Sequence, residues 1–449
     1  MYQELNNLID YLKGTKILIA GFGREGKSTL RFLLKHVPDV SVSVGDENVF
    51  DFNDEFAGLD IPIMSGETFF GNPDDFDLMI KTPGISLKKL PESWLKSDKI
   101  TSQTDLLLKF FANKVIGITG TKGKSTTTNL VHHLLVSNGV KAILAGNMGI
   151  PFFDELENAD HKMIVAELSC HQLENVYSSP VISVILNIFP EHLDHYESFE
   201  AYARTKWNVG LYQKWGGRLF IPDDWLKKEW LVYQKQYSGQ LTGFGAKDDE
   251  IIYKFDETCF EQKLDLDRIL LQGSHNLKNI AAALGVAVEA GVCLSDAIVS
   301  LYNFKPLPHR LEFIKEVNGV KYINDSISTI PQSSIAAMKA YPKTETIILG
   351  GMNRGIDYSA LIDYLLKSDV RNVVLMGEVG DIIGKEMEVR QSRISLHYAG
   401  DMQQAVEFAS LNTTAGGVCL LSPAAASYDK YINFEYRGDD FRKCVESLK

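Results

Sequence analysis

Three observations predict an α/β chain built from three mostly parallel sheets with flanking helices. Apolar, β-branched runs alternate with helical patterns from end to end, the rhythm of β-α-β units. Two glycine-rich loops, GFGREGKST (21–29) and GTKGKST (120–126), each follow a buried strand and open a helix. The length, 449 residues, sets a prior of roughly three domains of ~150 residues. Read this way, the domains span 1–102, 103–304 and 305–449.

The elements follow in order. TKILIAG (15–21) is a buried strand that runs into the first glycine loop, and STLRFLLKHV continues as a helix. SVSVGDEN (41–48) is the next strand, with Asp46 at its end, and DLMIKTPGI (77–85) is a strand that stops at a Pro-Gly turn. A second series begins near 104. KVIGITG (114–120) leads into the second loop, TTTNLVHHLLVSNG is a helix closed by Gly139, and MIVAELS (163–169) and VISVILNI (181–188) are strands. HNLKNIAAALGVAVEAG (275–291) is an alanine-rich helix ending at Gly291. NFKPLPHRLE (303–312) carries two prolines and no periodicity, which predicts a hinge on which domains close. Beyond it VKYINDS, ETIILGG, NVVLMGE and GVCLLSP start a third series of strands.

Composition narrows the function. With 46 basic and 58 acidic residues the net charge is −12, so neither nucleic acid nor an anionic membrane is an expected partner. An anionic substrate has to be held by local positive sites. Five scattered cysteines without C-x-x-C spacing read as reduced thiols of a cytoplasmic protein. MYQELNNLIDYLKG has no basic segment followed by an apolar one, so no secretory leader is expected. The longest apolar run, VISVILNIF, falls far short of the ~20 residues of a membrane helix, so no membrane insertion is expected.

The two loops compete for one reading. Residues 21–28 satisfy both G-x-x-x-x-G-K-[ST] and G-x-G-x-x-G, whereas 120–126 break the stricter pattern because Ile118 stands where its first glycine belongs. The surroundings separate them. Asp46 lies twenty positions beyond Gly26 at a strand end, the Rossmann arrangement in which a carboxylate meets a sugar hydroxyl or base edge. That loop predicts a held, unreacting nucleotide; a tight turn needing glycine for packing alone is the other reading. Around the second loop stand Lys124 to reach β- and γ-phosphates, Ser125 to ligate Mg²⁺, Glu167 at a strand end, and His192 in FPEHLDHY. Singly, Glu167 is a solvated strand end and His192 with His195 a surface pair or an incomplete zinc site; together with the loop they predict Mg²⁺ and ATP.

Set in order, GFGREGKS, KTPGI, GITGTKGKSTTT, GNMGIP, AELSCHQLE, NIFPEHLDHY, YARTKW, GSHNLKNIAAA, LPHRLE, YINDSISTIPQS, ILGGMNRGIDYS and LLSPAAASYDKYINFEYRGDDF resemble the Mur ligase family over nearly the whole chain. The last stretch is most similar to the D-glutamate-adding members. The resemblance implies a Rossmann-like domain for a UDP-sugar, a central ATPase domain and a Rossmann-like C-terminal domain. It implies an ATP-dependent ligase in peptidoglycan precursor synthesis that activates the carboxylate of UDP-N-acetylmuramoyl-L-alanine as an acyl phosphate for attack by D-glutamate. A cytoplasmic monomer is expected.

The resemblance also implies site residues. Gly120, Thr121, Lys122, Gly123, Lys124, Ser125, Thr126 and Thr127 form the phosphate loop. Asn276, Asn279, His309, Arg310 and Asp325 contact the rest of ATP. Ser125, Glu167, His192 and Lys206 hold two Mg²⁺ ions, Lys206 as a carbamate; by itself Lys206 would read as a surface lysine. Gly23, Arg24, Asp46, Glu47, Asn48, Thr82, Gly84, Asn147 and Ser169 serve the UDP-linked substrate, and Thr329, Arg354, Ser427 and Phe434 serve D-glutamate. Three positions depart from the family pattern: Lys122 for the usual Asn, Ile327 for a frequent Lys, and Arg354 for a frequent Lys.

Other classes remain open at this point. A Rossmann oxidoreductase would use residues 15–46 and leave GTKGKST idle. A P-loop kinase or GTPase would use only the centre, and no N-K-x-D pattern is present. A nucleotide-gated binding module would bind ATP without amino-acid-dependent phosphate release. Another amino-acid-adding ligase of the same family is the nearest alternative.

Overall fold

The computed structural model describes the chain apart from residues 1, 53, 147–149, 192–194, 215, 228–232, 234–236, 238, 256–257, 272, 306–307, 392 and 449. Three sheets carry it. In the first, β1 (Lys16–Ala20), β2 (Ser41–Asp46), β3 (Ile63–Ser65), β4 (Leu78–Lys81) and β5 (Ile100–Thr101) run parallel in the order β3-β2-β1-β4-β5. The order reverses between β1 and β4, so their carboxyl ends open a crevice, the usual place for a ligand in such a sheet.

The second sheet contains β6 (Val115–Thr119), β7 (Ala142–Gly146), β8 (Met163–Glu167), β9 (Ile182–Ile185), β10 (Arg218–Pro222), β11 (Gln240–Lys247), β12 (Glu250–Phe255) and β13 (Thr258–Lys263). It is ordered β7-β8-β6-β9-β10-β11-β12-β13; all pairings are parallel except the last two. β6 is buried at every residue, as expected of a parallel strand covered on both faces. The strands β10–β13 escaped the pattern reading. β11 is interrupted by Gly243 and Gly245, where a Cβ would come within 2.6 Å of Leu226 and 2.5 Å of Asp223. Glycine there admits a neighbouring segment at the expense of the apolar signal.

The third sheet is β14 (Glu312–Val317), β15 (Val320–Asn324), β19 (Val418–Leu421), β16 (Thr344–Gly350), β17 (Asn372–Met376) and β18 (Ser395–Tyr398), in that spatial order, with only β14 antiparallel.

The chain divides into two compact units. One holds Met1–Ile269 and His275–Phe304, and with them the first two sheets; the other holds Leu270–Ser274 and Lys305–Lys449. In the first unit one apolar core continues from Leu30 and Phe32 through Leu106 and Phe153 to Ile164 and Trp207. The Phe32 and Phe153 rings meet at 4.5 Å between centroids. Gln103, fully buried, donates to the Glu25 carbonyl (3.0 Å), the Thr29 hydroxyl (2.8 Å) and the Ser28 hydroxyl (3.3 Å), and accepts from Phe153 N–H (3.4 Å). Burying an amide at this position is tolerable because both its ends are bonded. Among the described residues no helix is long and apolar enough to cross a membrane.

Candidate nucleotide and substrate sites

β6, β8 and β9 are parallel neighbours, so the loop after β6, Glu167 at the end of β8 and the segment after β9 share one edge. The helix Lys124–Ser137 begins directly on the loop. Its cap, Gly123, has φ +87°, and a Cβ there would lie 2.6 Å from Asn279 Oδ1. Glycine is thus required twice over, by conformation and by space. The first-turn N–H groups of this helix have no partner inside it and face the loop's mouth, the arrangement that receives phosphate oxygens.

Lys124 is the first helical residue. Its Nζ curls back to donate to the Gly120 and Thr121 carbonyls, 3.1 Å each. Burial pulls its pKa down, opposed by the charges of Glu167 and Glu191. Asn187, which the sequence reading did not single out, clamps the loop. Its Oδ1 accepts from Lys122 N–H (2.8 Å), its Nδ2 donates to the Lys122 carbonyl (2.9 Å), and its own carbonyl accepts from Thr121 N–H (2.9 Å). The unusual Lys122 has an acid of its own, since Nζ meets Glu191 at 2.7 Å. The Thr121 hydroxyl lies 2.9 Å from Tyr202 OH and accepts from Phe189 N–H (2.9 Å). Thr126 and Thr127 are buried, and Thr127 N–H donates to the Gly123 carbonyl (2.9 Å), closing the first turn of the helix. Asn276 and Asn279 are bonded to each other at 2.9 Å, and Asn279 lies against Gly123.

Glu167 is 2 % exposed and Lys206, on the helix Phe199–Leu211, 1 %. Lys206 Nζ donates to the Gly120 carbonyl (2.9 Å) and sits 4.9 Å from the Tyr202 ring centroid. Desolvation pushes its pKa down to about 8. His192 and Asn147 lie outside the described residues. The donor set fits Mg²⁺ and a triphosphate. Ser125 and Glu167 supply hard oxygens, and Mg²⁺ keeps waters and phosphate oxygens beside one or two protein ligands. No cage is needed, and among the described residues no three His, Cys, Asp or Glu side chains gather as one.

The first loop is built differently. Its helix, Arg24–His36, starts one turn earlier relative to the lysine, with Gly23 as cap. Gly26 therefore lies inside the helix, where a Cβ would come within 2.0 Å of the Gly21 carbonyl oxygen; it is there for close packing of helix on strand. Lys27 is exposed and points over the Phe22 ring (5.9 Å), and Ser28 is buried against Gln103. Neither is set to hold a metal nucleotide. Gly21, Gly23, Arg24, Asp46, Glu47 and Asn48 line a cavity of about 430 Å³ together with Thr82 and Gly84, at the β1–β4 crevice. Ser169 bonds Gln172, which also lines it. Gly23 and Gly84 have open space where a Cβ would stand, so they leave room for a ligand and serve no packing need. Asp46, expected at a sugar, first holds the loop: it accepts from Phe22 N–H (2.7 Å) and Asn48 N–H (2.9 Å).

In the second unit the loops after β15, β16 and β19 share one sheet edge, carrying Thr329, Arg354 and Ser427 respectively, with Phe434 opening the last helix, Phe434–Ser447. Arg354 is exposed, Thr329 half-buried, and Ser427 buried. Arg437, also missed from sequence, staples these loops. It donates to the Ser326 hydroxyl (3.0 Å), the Ser326 carbonyl (2.9 Å), the Ala425 carbonyl (3.0 Å) and the Gly350 carbonyl (3.4 Å). Burial lowers its pKa to about 10, still well above neutrality. His309 and Asp325, expected at ATP, are buried here. His309 has φ +63° and its Nδ1 lies 3.0 Å from Asn324 Nδ2. Asp325 accepts from Leu311 N–H (3.2 Å) and the Ser422 hydroxyl (2.8 Å), and burial raises its pKa to about 6. Arg310 is half-buried beside them, and Ile327 gives its N–H to the His309 carbonyl (3.1 Å).

Residues 118–287 match the Mur ligase middle domain and residues 309–425 the Mur ligase glutamate ligase domain. The chain is 31% identical, over 472 residues and all of both chains, to UDP-N-acetylmuramoylalanine–D-glutamate ligase of Clostridium botulinum. It belongs to the Mur ligase family. The ligase of the same name from Acetivibrio thermocellus is 29% identical to this Mur ligase over 470 residues, again across both whole chains. The fold is shared with MurF ligase from Thermotoga maritima in complex with ADP (TM-score 0.56, 18% identity, 99% of each chain) and with UDP-N-acetylmuramate-alanine ligase MurC from the same organism (TM-score 0.54, 18% identity, 97% of this chain and 100% of that one). Family membership removes the oxidoreductase and kinase readings of the two loops.

Proposed function

We propose that this Mur ligase joins D-glutamate to UDP-N-acetylmuramoyl-L-alanine, converting ATP to ADP and phosphate, in the cytoplasmic synthesis of peptidoglycan precursors. The observation that carries it is the full-length likeness to UDP-N-acetylmuramoylalanine–D-glutamate ligases. The build of the two glycine loops supports the division of labour. On this reading residues 1–102 take the UDP-substrate, 103–304 the ATP, and 305–449 the amino acid, and the enzyme acts as a monomer.

A carboxylate resists amines because it is anionic and its oxygen is a poor leaving group. Transfer of the γ-phosphoryl to the L-alanyl carboxylate removes both obstacles. The D-glutamate amine then attacks the carbonyl carbon, loses a proton and expels phosphate as the amide forms. Phosphoryl transfer needs position and charge neutralisation above all. Lys124 and the N–H groups of Gly123–Ser125 hold the phosphates, with Asn276, Asn279, Arg310, Asp325 and His309 around the nucleoside. Ser125, Glu167, His192 and Lys206 would hold Mg²⁺ at two sites. When bound, Mg²⁺ supplies neutralisation of the phosphate oxygens. Asn147 and Ser169 orient the reacting end of the UDP-substrate, and Thr329, Arg354, Ser427 and Phe434 hold D-glutamate, Arg354 through a fork suited to a carboxylate.

Lys206 acts as a carbamate. A pKa near 8 keeps a share of its amine neutral at physiological pH, which CO₂ requires. The adduct presents anionic oxygen where an ammonium would repel a metal. The test of the function is phosphate release with UDP-N-acetylmuramoyl-L-alanine and a panel of D- and L-amino acids. Release stimulated by D-glutamate alone is expected; stimulation by another amino acid only would assign a different ligase of the family.

A further inference from the structure

Three acids, Glu25, Asp46 and Glu47, line the 430 Å³ cavity with a single base, Arg24. A pyrophosphate held there is itself anionic, so each acid has to be neutralised or tied down. Asp46 accepts from Phe22 N–H (2.7 Å) and Asn48 N–H (2.9 Å), and Glu47 pairs with Lys89 (2.8 Å). Glu25, in the first turn of the helix Arg24–His36, has only an amide beside it. Gln172 Oε1 accepts from Ser169 N–H (3.0 Å) and the Ser169 hydroxyl (3.1 Å), which leaves the Gln172 amide nitrogen for the Glu25 carboxyl. Glu25 Oε1 is nonetheless fully enclosed without a hydrogen-bond partner. The crevice behind Glu25, lined also by Lys81, Thr104 and His171, is too narrow for water. Lys81, whose charge acts on Glu25, is already engaged. Its Nζ donates to the carbonyls of Ile85 (2.6 Å) and Thr82 (3.3 Å) and lies 3.6 Å from Glu174 Oε2.

An ionised carboxylate with one oxygen shut away from water and unbonded is costly, and protonation removes the cost. Burial accordingly raises the pKa of Glu25 to about 7, against the opposing pull of Lys81 and Gln172. The same carboxyl stands one turn from Gly23, the helix cap whose missing Cβ leaves open space. In a sheet of this order the pyrophosphate of a bound nucleotide lies against that helix end. An anionic Glu25 would repel it, whereas a neutral one can donate a hydrogen bond. Resting on the function proposed above, we propose that Glu25 is a substrate-recognising residue that meets the pyrophosphate of the UDP-substrate as a neutral carboxyl and donates its O–H to a phosphate oxygen. Binding then draws a proton from solvent whenever Glu25 of the free enzyme is ionised. The other titratable groups around the cavity and the crevice behind it are Arg24 on the same helix, Asp46 and Glu47 at the end of β2, Lys81 on β4, and His171 and Glu174 after β8. Substituting Glu25 alone separates its proton from theirs.

The test is calorimetry of UDP-N-acetylmuramoyl-L-alanine binding to the whole protein, in buffers of different ionisation enthalpy, which counts the protons taken up. The unaltered enzyme should take up between about half a proton and one proton at pH 8, and its Kd should rise by about tenfold between pH 6 and pH 8.5. Glu25→Gln keeps the size and an N–H donor but cannot ionise. It should lose that uptake, hold a Kd that is flat with pH, and match the unaltered enzyme at pH 6 within about twofold. Glu25→Ala has neither charge nor donor; its Kd should also be flat but about fivefold weaker than that of Glu25→Gln. Uptake near zero in the unaltered enzyme, uptake retained in Glu25→Gln, or equal Kd values for the Gln and Ala variants would overturn the proposal, and the first of these needs no variant to fold. Failure of the functional reading looks different: the unaltered enzyme then does not bind the UDP-substrate at any pH.

Discussion

The two glycine loops of this Mur ligase share a letter pattern and differ in where the helix begins. In the central loop the helix starts at the lysine, so Lys124 sits at the mouth and folds over the Gly120 and Thr121 carbonyls. In the amino-terminal loop it starts three residues before the lysine, which carries Lys27 round to the outer face above Phe22 and turns Ser28 into the core. A shift of three residues in 3.6-residue turns is most of a revolution. The comparison teaches that a phosphate-loop pattern is a statement about helix phase, and that phase is set by what the glycines pack against.

The widest expected gap is between the two lysines. Lys124→Met should cut D-glutamate-dependent phosphate release by about a thousandfold or more, whereas Lys27→Met should stay within about twofold. Equal losses would break the comparison. Next comes Lys206→Ala, expected to lose about a hundredfold or more and to recover in part with a short carboxylic acid. In the unaltered enzyme, at constant CO₂ pressure, the CO₂-dependent share of the rate should climb as pH rises through about 8, because the neutral amine grows as the depressed pKa is passed.

Glycine substitutions sharpen the packing half of the comparison. Gly26→Ala meets the Gly21 carbonyl at 2.0 Å and should cost about 2–4 kcal/mol in denaturant unfolding. Gly23→Ala meets nothing, so it should leave stability unchanged and raise KM for the UDP-substrate. Glu25 tests the same loop by pH. Burial raises its pKa to about 7, so its folded form holds a proton that the unfolded chain releases above the ordinary glutamate range. Stability is therefore lost progressively as pH rises from the ordinary glutamate range to about 7. Glu25→Gln should melt higher than the unaltered protein at pH 8, by on the order of 1–2 kcal/mol, and the difference should vanish near pH 4. Smallest is Lys122→Ala. Its ion pair with Glu191 is solvent-exposed and should be worth at most about 1 kcal/mol to stability.

Much of this architecture was legible because strand ends announce themselves. Asp46 and Glu167 close apolar runs, and both end a strand in the structure. Gly139 and Gly291 follow helices and take positive φ. Asn187, Gln103 and Arg437 were not legible. Each is a polar residue whose partners lie elsewhere in the chain: Asn187 bonds residues 65 positions away, Gln103 reaches 74–78 positions, and Arg437 reaches 111. Nothing in the neighbouring letters marks such a side chain as a clamp. The antiparallel strands β12 and β13 hid for another reason, since each is only 6 residues long and they follow a strand broken by glycine.

By itself, then, the amino-acid sequence determined the alternation of strands and helices, the three sheets, the family and the residue types each loop could offer. These are local or additive properties, carried by periodicity and by the order of short motifs. Tertiary structure alone decided the helix phase that folds Lys124 back over its loop and turns Lys27 outward, and which distant polar side chains clamp the loops. Those depend on helix phase and on partners far apart in the chain, which only the packed fold brings within bonding distance.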